Sequence, residues 1–366
     1  MSTARTRYQV QVVTFNILCS SLSKASYFCS CDQEACDPEK RLCLLVKILQ
    51  RYTLSDSVIC LQELSRTWHA QLLPILRRLG YTVVFSSYGH HGDDYMGVAI
   101  AFKDEVYCLL DMSDKCIAHG ATWYQTPTQD TMIVGVSNRC SWINSDCSYI
   151  LRDIYRDRCY GNNSQYPFDG SDILDRRNTL LMLRLGIVDK ERGGILQSFV
   201  VGTCHLPCTY KHPMVTMLYA AEVGKQFHAF KGNYAGILAG DFNMKPTDNA
   251  YKILTEGGVQ EDLQREILQE FPMVKRVDIG SPLVFESAYY VKCKKEPAFT
   301  CHAVIKRKDG KCTRFHGTLD YVFVTPGVIV ESACVSPDIS PNKLGESLPN
   351  HYHPSDHVAI VARVTI

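Results

Sequence analysis

The sequence predicts an α/β fold, and three observations carry that expectation. Apolar, β-branched stretches of strand length alternate with amphipathic stretches of helix length. Several of the strands stop on an Asp, Glu, Asn or His. No repeat period and no low-complexity linker interrupts the 366 residues, so a single domain over residues 8–366 is the simplest organisation.

Taken in order, Tyr8 to Leu18 alternates polar and β-branched residues and reads as a strand ending at Asn16. Asp37-Pro38 offers a helix N-cap followed by proline at the first helical position, and Leu42, Leu45, Val46 and Leu49 fall on one face of the helix that follows. Ser57 to Glu63 is an apolar strand terminating in a carboxylate. A helix carrying Trp68, Leu72, Ile75, Leu76 and Leu79 closes at Gly80, and Gly97 to Phe102 is another buried strand. From about 111 to 177 the pattern loosens into polar, aromatic sequence, which reads as an elaborated insertion with some helix near Tyr149 to Arg158. Strands resume at Asn178 to Leu183 and Phe199 to His205, a long helix fits Pro213 to Phe230, and a strand runs into Asp241. Gly257 to Arg314 reads as irregular, before strands at Thr318 to Thr325 and His357 to Ile366.

Composition narrows the partners. With 39 basic and 38 acidic residues the net charge is +1, so no global field draws the chain to nucleic acid or membrane and any basic surface must be local. The insertion is no plain phosphate-binding stripe, because Arg139, Arg152, Arg156, Arg158, Arg176 and Arg177 are offset by Asp146, Asp153, Asp157, Asp169, Asp172 and Asp175. The 17 cysteines form no paired spacing, which points to free thiols in a reducing compartment. Two groups, Cys29, Cys31, Cys36 and Cys43, and Cys293, Cys301, Cys312 and His316, lack the C-x-x-C spacing of a zinc site. No uncharged apolar run approaches the ~20 residues of a membrane span, and no signal-like segment opens the chain. The expectation is an intracellular, cytoplasmic protein without membrane contact.

Five apolar strands end, or nearly end, on a metal-type or acid–base residue: Asn16, Glu63, His205, Asp241 with Asn243, and Asp320. A sixth cluster, Pro354-Ser355-Asp356-His357, precedes the last strand. Alternate residues of a strand share a face about 7 Å apart, so Asp241 and Asn243 can address one site. Carboxylates, amides and imidazoles gathered at one edge of a sheet sandwich make an oxygen-rich pocket suited to Mg²⁺ or Mn²⁺ rather than zinc.

Together, the order and context of these clusters resemble the endonuclease/exonuclease/phosphatase superfamily, the DNase-I-like phosphoesterases, across essentially the whole chain. Leu348-Pro349-Asn350, Glu286-Ser287-Ala288-Tyr289, Phe299-Thr300 and Gly317-Thr318-Leu319-Asp320-Tyr321 are similar to the branch of poly(A) deadenylases, nocturnin, Angel proteins and 2′,5′-phosphodiesterase. The resemblance implies a four-layer α/β sandwich, two packed mixed β-sheets flanked by helices. It implies Mg²⁺-dependent phosphodiester hydrolysis, with Glu63 as principal metal ligand, Asn16 beside it and Asp356 completing the network. Asp241 would orient or deprotonate the attacking water, Asn243 and His205 would hydrogen-bond the phosphate, and His357 would contact the scissile phosphate with Asp320 fixing its ring. Phe315 would stack on a substrate base, and Asn178 is a lesser substrate-binding candidate. The substrate implied is single-stranded, adenylate-rich RNA shortened from its 3′ end. The alternatives are a nucleotide 2′-phosphatase, a 2′,5′-oligoadenylate phosphodiesterase, or an inactive RNA-binding module on the same fold.

Overall fold

The computed structural model describes residues 7–88, 96–118, 176–209, 212–259, 262, 265, 279–307, 309–336 and 341–366. In chain order its strands are β1 (Gln9–Asn16), β2 (Val58–Gln62), β3 (Tyr81–Tyr88), β4 (Met96–Lys103), β5 (Tyr107–Cys116), β6 (Thr179–Asp189) and β7 (Gly194–His205). Then follow β8 (Ala235–Asp241), β9 (Glu286–Ser287), β10 (Cys301–Lys306), β11 (Cys312–Gly317), β12 (Asp320–Val324), β13 (Ile329–Val335) and β14 (Ile360–Thr365). The helices are α1 (Pro38–Thr53), α2 (Arg66–Arg78), α3 (Pro213–Lys231), α4 (Asn249–Glu256), α5 (Ala288–Cys293) and α6 (Pro341–Leu344).

Two six-stranded sheets, ordered β13-β14-β1-β2-β4-β3 and β5-β6-β7-β8-β12-β9, are accompanied by a two-stranded β10-β11 hairpin. Both sheets are mixed: β1 with β2 and β7 with β8 are parallel pairs among antiparallel neighbours. The period of two along each strand makes the four layers. In β1, Val10 and Val12 face the second sheet, joining Leu183, Val201, Ile237 and Val322 in the central core. Val13 and Phe15, on the opposite face, pack against Leu45 and Leu49 of α1 and Trp68 and Leu72 of α2. The outer face of the second sheet is covered in the same way by α3 and α4. Strands buried on both faces read as continuous apolar runs, which is why these were legible.

The Asp37 cap is the expected one, and Ser65 caps the next helix. Asp37 accepts hydrogen bonds from the Glu39 and Lys40 amides at the start of α1, and Ser65 accepts from the Trp68 amide at the start of α2. Trp68 is fully buried and its indole N–H donates to the Leu18 carbonyl at 3.1 Å, so α2 also fixes the chain leaving β1. An alanine there would cost ~3–5 kcal/mol in lost packing.

Three expectations are corrected. Residues Gly257 to Arg314 are not uniformly irregular, since they hold β9, α5, β10 and the first half of β11. β5 continues to Cys116, past the expected start of the insertion at 111, and the helix expected near Tyr149 to Arg158 lies outside the described residues. Cys29 and Cys312 are joined in a disulfide with Cα atoms 6.3 Å apart, so the cysteines are not all free. That bond links one member of each cysteine group, while Cys43 on α1 and Cys293 on α5 are exposed. Among the described residues, no helix is long and apolar enough to cross a membrane.

Candidate functional site

Strand register alone brings three of the polar residues into one row. His205 pairs with Asp241 across β7 and β8, and Asp241 pairs with Asp320 across β8 and β12. Gly240 allows this packing, because a Cβ there would lie 2.2 Å from the Cys204 carbonyl oxygen. From the first sheet, Asn16 at the end of β1 reaches across the sandwich, its Nδ2 donating to Asp241 Oδ2 at 2.9 Å and to Glu63 Oε1 at 3.2 Å. Its Oδ1 accepts from the Leu18 amide at 3.0 Å. Those partners fix the amide orientation: nitrogen toward the two carboxylates, oxygen toward the backbone. Asn16, expected among the metal ligands, thus donates to both Glu63 and Asp241.

Glu63 follows β2 with a left-handed backbone (φ 58°), and Asn243 follows β8 in the same region (φ 47°). Side chains rarely tolerate that conformation, and here it turns both polar groups back over the strand ends. The second Glu63 oxygen accepts from the Cys19 amide at 2.8 Å.

His357 arrives from the far end of the chain. Its backbone bridges Cys301, while Val358 N–H donates to Thr300 O at 2.7 Å and His302 N–H donates to Asp356 O at 2.9 Å. Thr300 Oγ1 in turn accepts the amides of Leu319 and Asp320, so residues 300–301 splice the 356–358 segment to the start of β12. The result sets His357 Nδ1 2.8 Å from Asp320 Oδ2 and His357 Nε2 3.8 Å from Asp241 Oδ2. His205 Nε2 is 3.5 Å from the same Asp241 oxygen. The longer two separations exceed an ordinary N–H···O hydrogen bond.

The electrostatics follow from burial. Desolvation pushes Asp320 up to about 6, with His357 opposing and Asp241 adding to the shift. Burial alone would lower His357, but Asp320, Cys301 and Asp241 overcome it and hold the imidazole well above its ordinary value. Desolvation also raises Asp356, against the pull of His357. Asp320 Oδ1 is buried with no hydrogen-bond partner. Asp241, Asp320 and His357 present donor atoms within 4.8 Å of one another, and so do Cys301, Asp356 and His357. A set dominated by carboxylate oxygen, with an orphaned buried oxygen inside it, fits a hard divalent cation. Glu63 stands outside both trios and connects to them through Asn16.

The remaining expected residues fall around this centre. Asn243 Nδ2 donates to the Leu206 carbonyl at 2.8 Å and meets His205 Nε2 at 3.0 Å, and the Asn243 amide holds Asp241 Oδ1 at 2.9 Å. Phe315 lies on β11, half-buried, two residues from Gly317, which pairs with Cys301 and through it with His357. Asn178 is buried and its Nδ2 donates to the His205 carbonyl at 2.6 Å, so it braces the β7 terminus.

Two residues were missed. Tyr88, closing β3, places its hydroxyl 2.7 Å from His205 Nδ1. Since Asn243 Nδ2 is fixed as a donor by Leu206, His205 Nε2 accepts and Nδ1 carries the proton toward Tyr88. Arg41, buried within α1, donates to the carbonyls of Ile17, Leu18 and Pro354, joining the loop after Asn16 to the one before His357. Burial lowers its guanidinium to about 10. A signal for it was present: Arg41 precedes Leu45 and Ile48 on the apolar face of the helix, where a charge has no place without partners. The concavity bounded by Glu34, Lys40, Cys43 and His351 contains none of the strand-end side chains.

Comparison with known proteins agrees with this fold. The human 2′,5′-phosphodiesterase 12 is 23% identical over 96% of this chain and 51% of its own length. Carbon catabolite repressor protein 4 homolog 4 of Arabidopsis thaliana is 35% identical over 36% of this chain and 27% of its own. The chain thus spans about half, or less, of the length of these relatives. Among solved structures, ANGEL2, a 2′,3′-cyclic phosphatase, superposes with a TM-score of 0.65 at 18% identity, covering 98% of this chain and 96% of that one. The human nocturnin catalytic domain superposes at 0.56, with 18% identity over 97% and 93%. At such identity the likeness is one of fold. The Endonuclease/Exonuclease/phosphatase family model matches residues 13–357, and the chain belongs to that family.

Proposed function

We propose that residues 8–366 form one catalytic domain, a divalent-metal-dependent phosphodiesterase that shortens single-stranded, adenylate-rich RNA from its 3′ end. The observation that carries this reading is the row His205–Asp241–Asp320, closed by His357 on one side and by Asn16 and Glu63 on the other. Glu63 and Asp356, with Asp241 and Asp320 behind them, would hold Mg²⁺ or Mn²⁺, whose Lewis acidity toward the phosphoryl oxygens neutralises developing charge.

The chain's own groups divide the remaining work. Asp241 is held on one oxygen by the Asn243 amide and presents the other between the two imidazoles, where it orients and deprotonates an attacking water. His357, its Nδ1 on Asp320, keeps a proton on Nε2 and offers it to a phosphoryl oxygen. Asn243 Nδ2 gives one hydrogen to Leu206 and the other to His205; a phosphoryl oxygen entering the site takes the second. Tyr88 keeps the His205 ring from turning. Phe315 receives the terminal base, a contact worth ~1–3 kcal/mol.

A second reading, hydrolysis of 2′,5′-linked oligoadenylate, is favoured by the relative of that activity whose similarity spans 96% of this chain. Assays of oligo(A), oligo(U), 2′,5′-oligoadenylate and NADP side by side with Mg²⁺ separate the two. Stepwise shortening of oligo(A) supports the first reading; loss only of the 2′,5′-linked substrate replaces it with the second. Phosphate release from NADP with inert RNA sinks both, and tight RNA binding without hydrolysis of any phosphoester makes the chain a binding module.

A further inference from the structure

Lys245 stands two residues beyond Asn243, on the turn that leaves β8. Its backbone is pinned, since its amide donates to Asp248 Oδ2 at 2.8 Å and its carbonyl accepts from the Asp248 amide at 3.0 Å. Its side chain is exposed, makes no ion pair among the described residues, and sets its ammonium 5.6 Å from the centroid of the Phe315 ring. That ring belongs to none of the hydrophobic core clusters. It leans along the hairpin toward the strip ending at His357: a Cβ on Gly317 would lie 3.4 Å from Phe315 Cζ, and Gly317, Cys301 and His357 are consecutive partners. An ammonium exposed to solvent beside a half-buried ring is weakly held, so it exchanges the ring face readily for an anion. The nearest anions in a bound nucleotide chain are the phosphates flanking the base on that ring.

We propose that Lys245 is a specificity-determining residue, its ammonium binding the phosphate that flanks the base stacked on Phe315. The proposal rests on the nucleotide-substrate reading above. It divides recognition between two side chains of different physics: Phe315 reads a flat base at any ionic strength, and Lys245 reads charge and is screened by salt. The phosphate is either an internal phosphodiester or a terminal phosphomonoester, and the probes distinguish them.

Binding of two fluorescent, phosphorothioate-linked oligoadenylates, one ending in free hydroxyls and one bearing a terminal 2′-phosphate, is followed by anisotropy over a range of salt. For Lys245→Gln the dissociation constant rises ~10-fold at low salt and the slope of log affinity against log salt shrinks by ~0.7, the value for one phosphate contact on a single strand. Lys245→Arg keeps both quantities. Phe315→Leu weakens binding at every salt concentration and leaves the slope unchanged. Loss on both probes assigns Lys245 to the phosphodiester, and loss on the phosphorylated probe alone assigns it to the terminal group; either supports the proposal. If wild type binds and Lys245→Gln matches it in affinity and slope, the role of Lys245 is overturned while the substrate reading stands. If wild type binds neither probe, the substrate reading fails and takes this proposal with it.

Discussion

Replacing Asn16 by alanine removes three hydrogen bonds at once. The side chain is fully buried, and its nitrogen bridges Asp241 Oδ2 at 2.9 Å and Glu63 Oε1 at 3.2 Å while its oxygen takes the Leu18 amide at 3.0 Å. Leaving the Leu18 amide without a partner costs ~1–3 kcal/mol, and hydrogen bonds to charged acceptors are worth ~1.5–3 kcal/mol each. The carboxylates, no longer sharing a donor, repel one another and move apart. A shift of ~1 Å in a reacting group lowers turnover ~10²-fold. Asn16→Asp isolates the second effect: it keeps an acceptor for Leu18 but sets a third carboxylate against Glu63 and Asp241. In both variants kcat/KM on oligo(A) should fall ~10²-fold. Urea unfolding at a metal concentration common to all samples should show Asn16→Ala less stable than wild type by several kcal/mol, on the order of the summed terms. An Asn16→Asp protein with wild-type turnover would refute the idea that this amide holds the two carboxylates in register.

Tyr88→Phe strands the His205 Nδ1 proton in a buried place, and kcat/KM should fall ~10- to 100-fold with the fold intact; an unchanged rate would mean that the ring is held by other contacts. Asp320→Asn tests a raised carboxyl. Its folded value of about 6 lies above the ordinary 3.8, so its contribution to stability is complete below pH 4 and is lost as pH rises through 6. In chelator-treated protein, wild type should therefore lose up to ~3 kcal/mol relative to Asp320→Asn between pH 4 and 7, and a difference that does not change with pH would contradict the assignment. Arg41→Met removes the donor shared by Ile17, Leu18 and Pro354, and should destabilise the protein by ~3 kcal/mol or more in urea unfolding while lowering activity. Wild-type stability in that variant would show that the two loops hold together without the guanidinium.

What could be read from the chain, and what could not, follows from where the information sits. β2, β8 and the C-terminal halves of β1 and β7 are buried on both faces, so each runs apolar into Glu63, Asp241, Asn16 or His205, and strand and site residue were visible together. β11 alternates exposed and half-buried positions, and β5 is mostly half-buried, so neither stands out from loop by composition. The orientation of Asn16 depends on Asp241, 225 residues away, and the role of Tyr88 on His205, 117 residues away. The Cys29–Cys312 disulfide spans 283 residues. Local spacing carries none of these. Asn178 was read as a lesser substrate-binding candidate, and its bond to the His205 carbonyl, 27 residues away, is another contact that local spacing does not carry.

The central claim is that the residues meeting around Asp241 hydrolyse a phosphodiester. Its most direct test follows 5′-labelled oligo(A) with wild-type protein and with Asp241→Ala, each with Mg²⁺ and with chelator, after circular dichroism has shown both to be folded. Wild type with Mg²⁺ should give a ladder shortened from the 3′ end, and the other three reactions an intact strand. An Asp241→Ala protein that shortens the strand at the wild-type rate would contradict the claim.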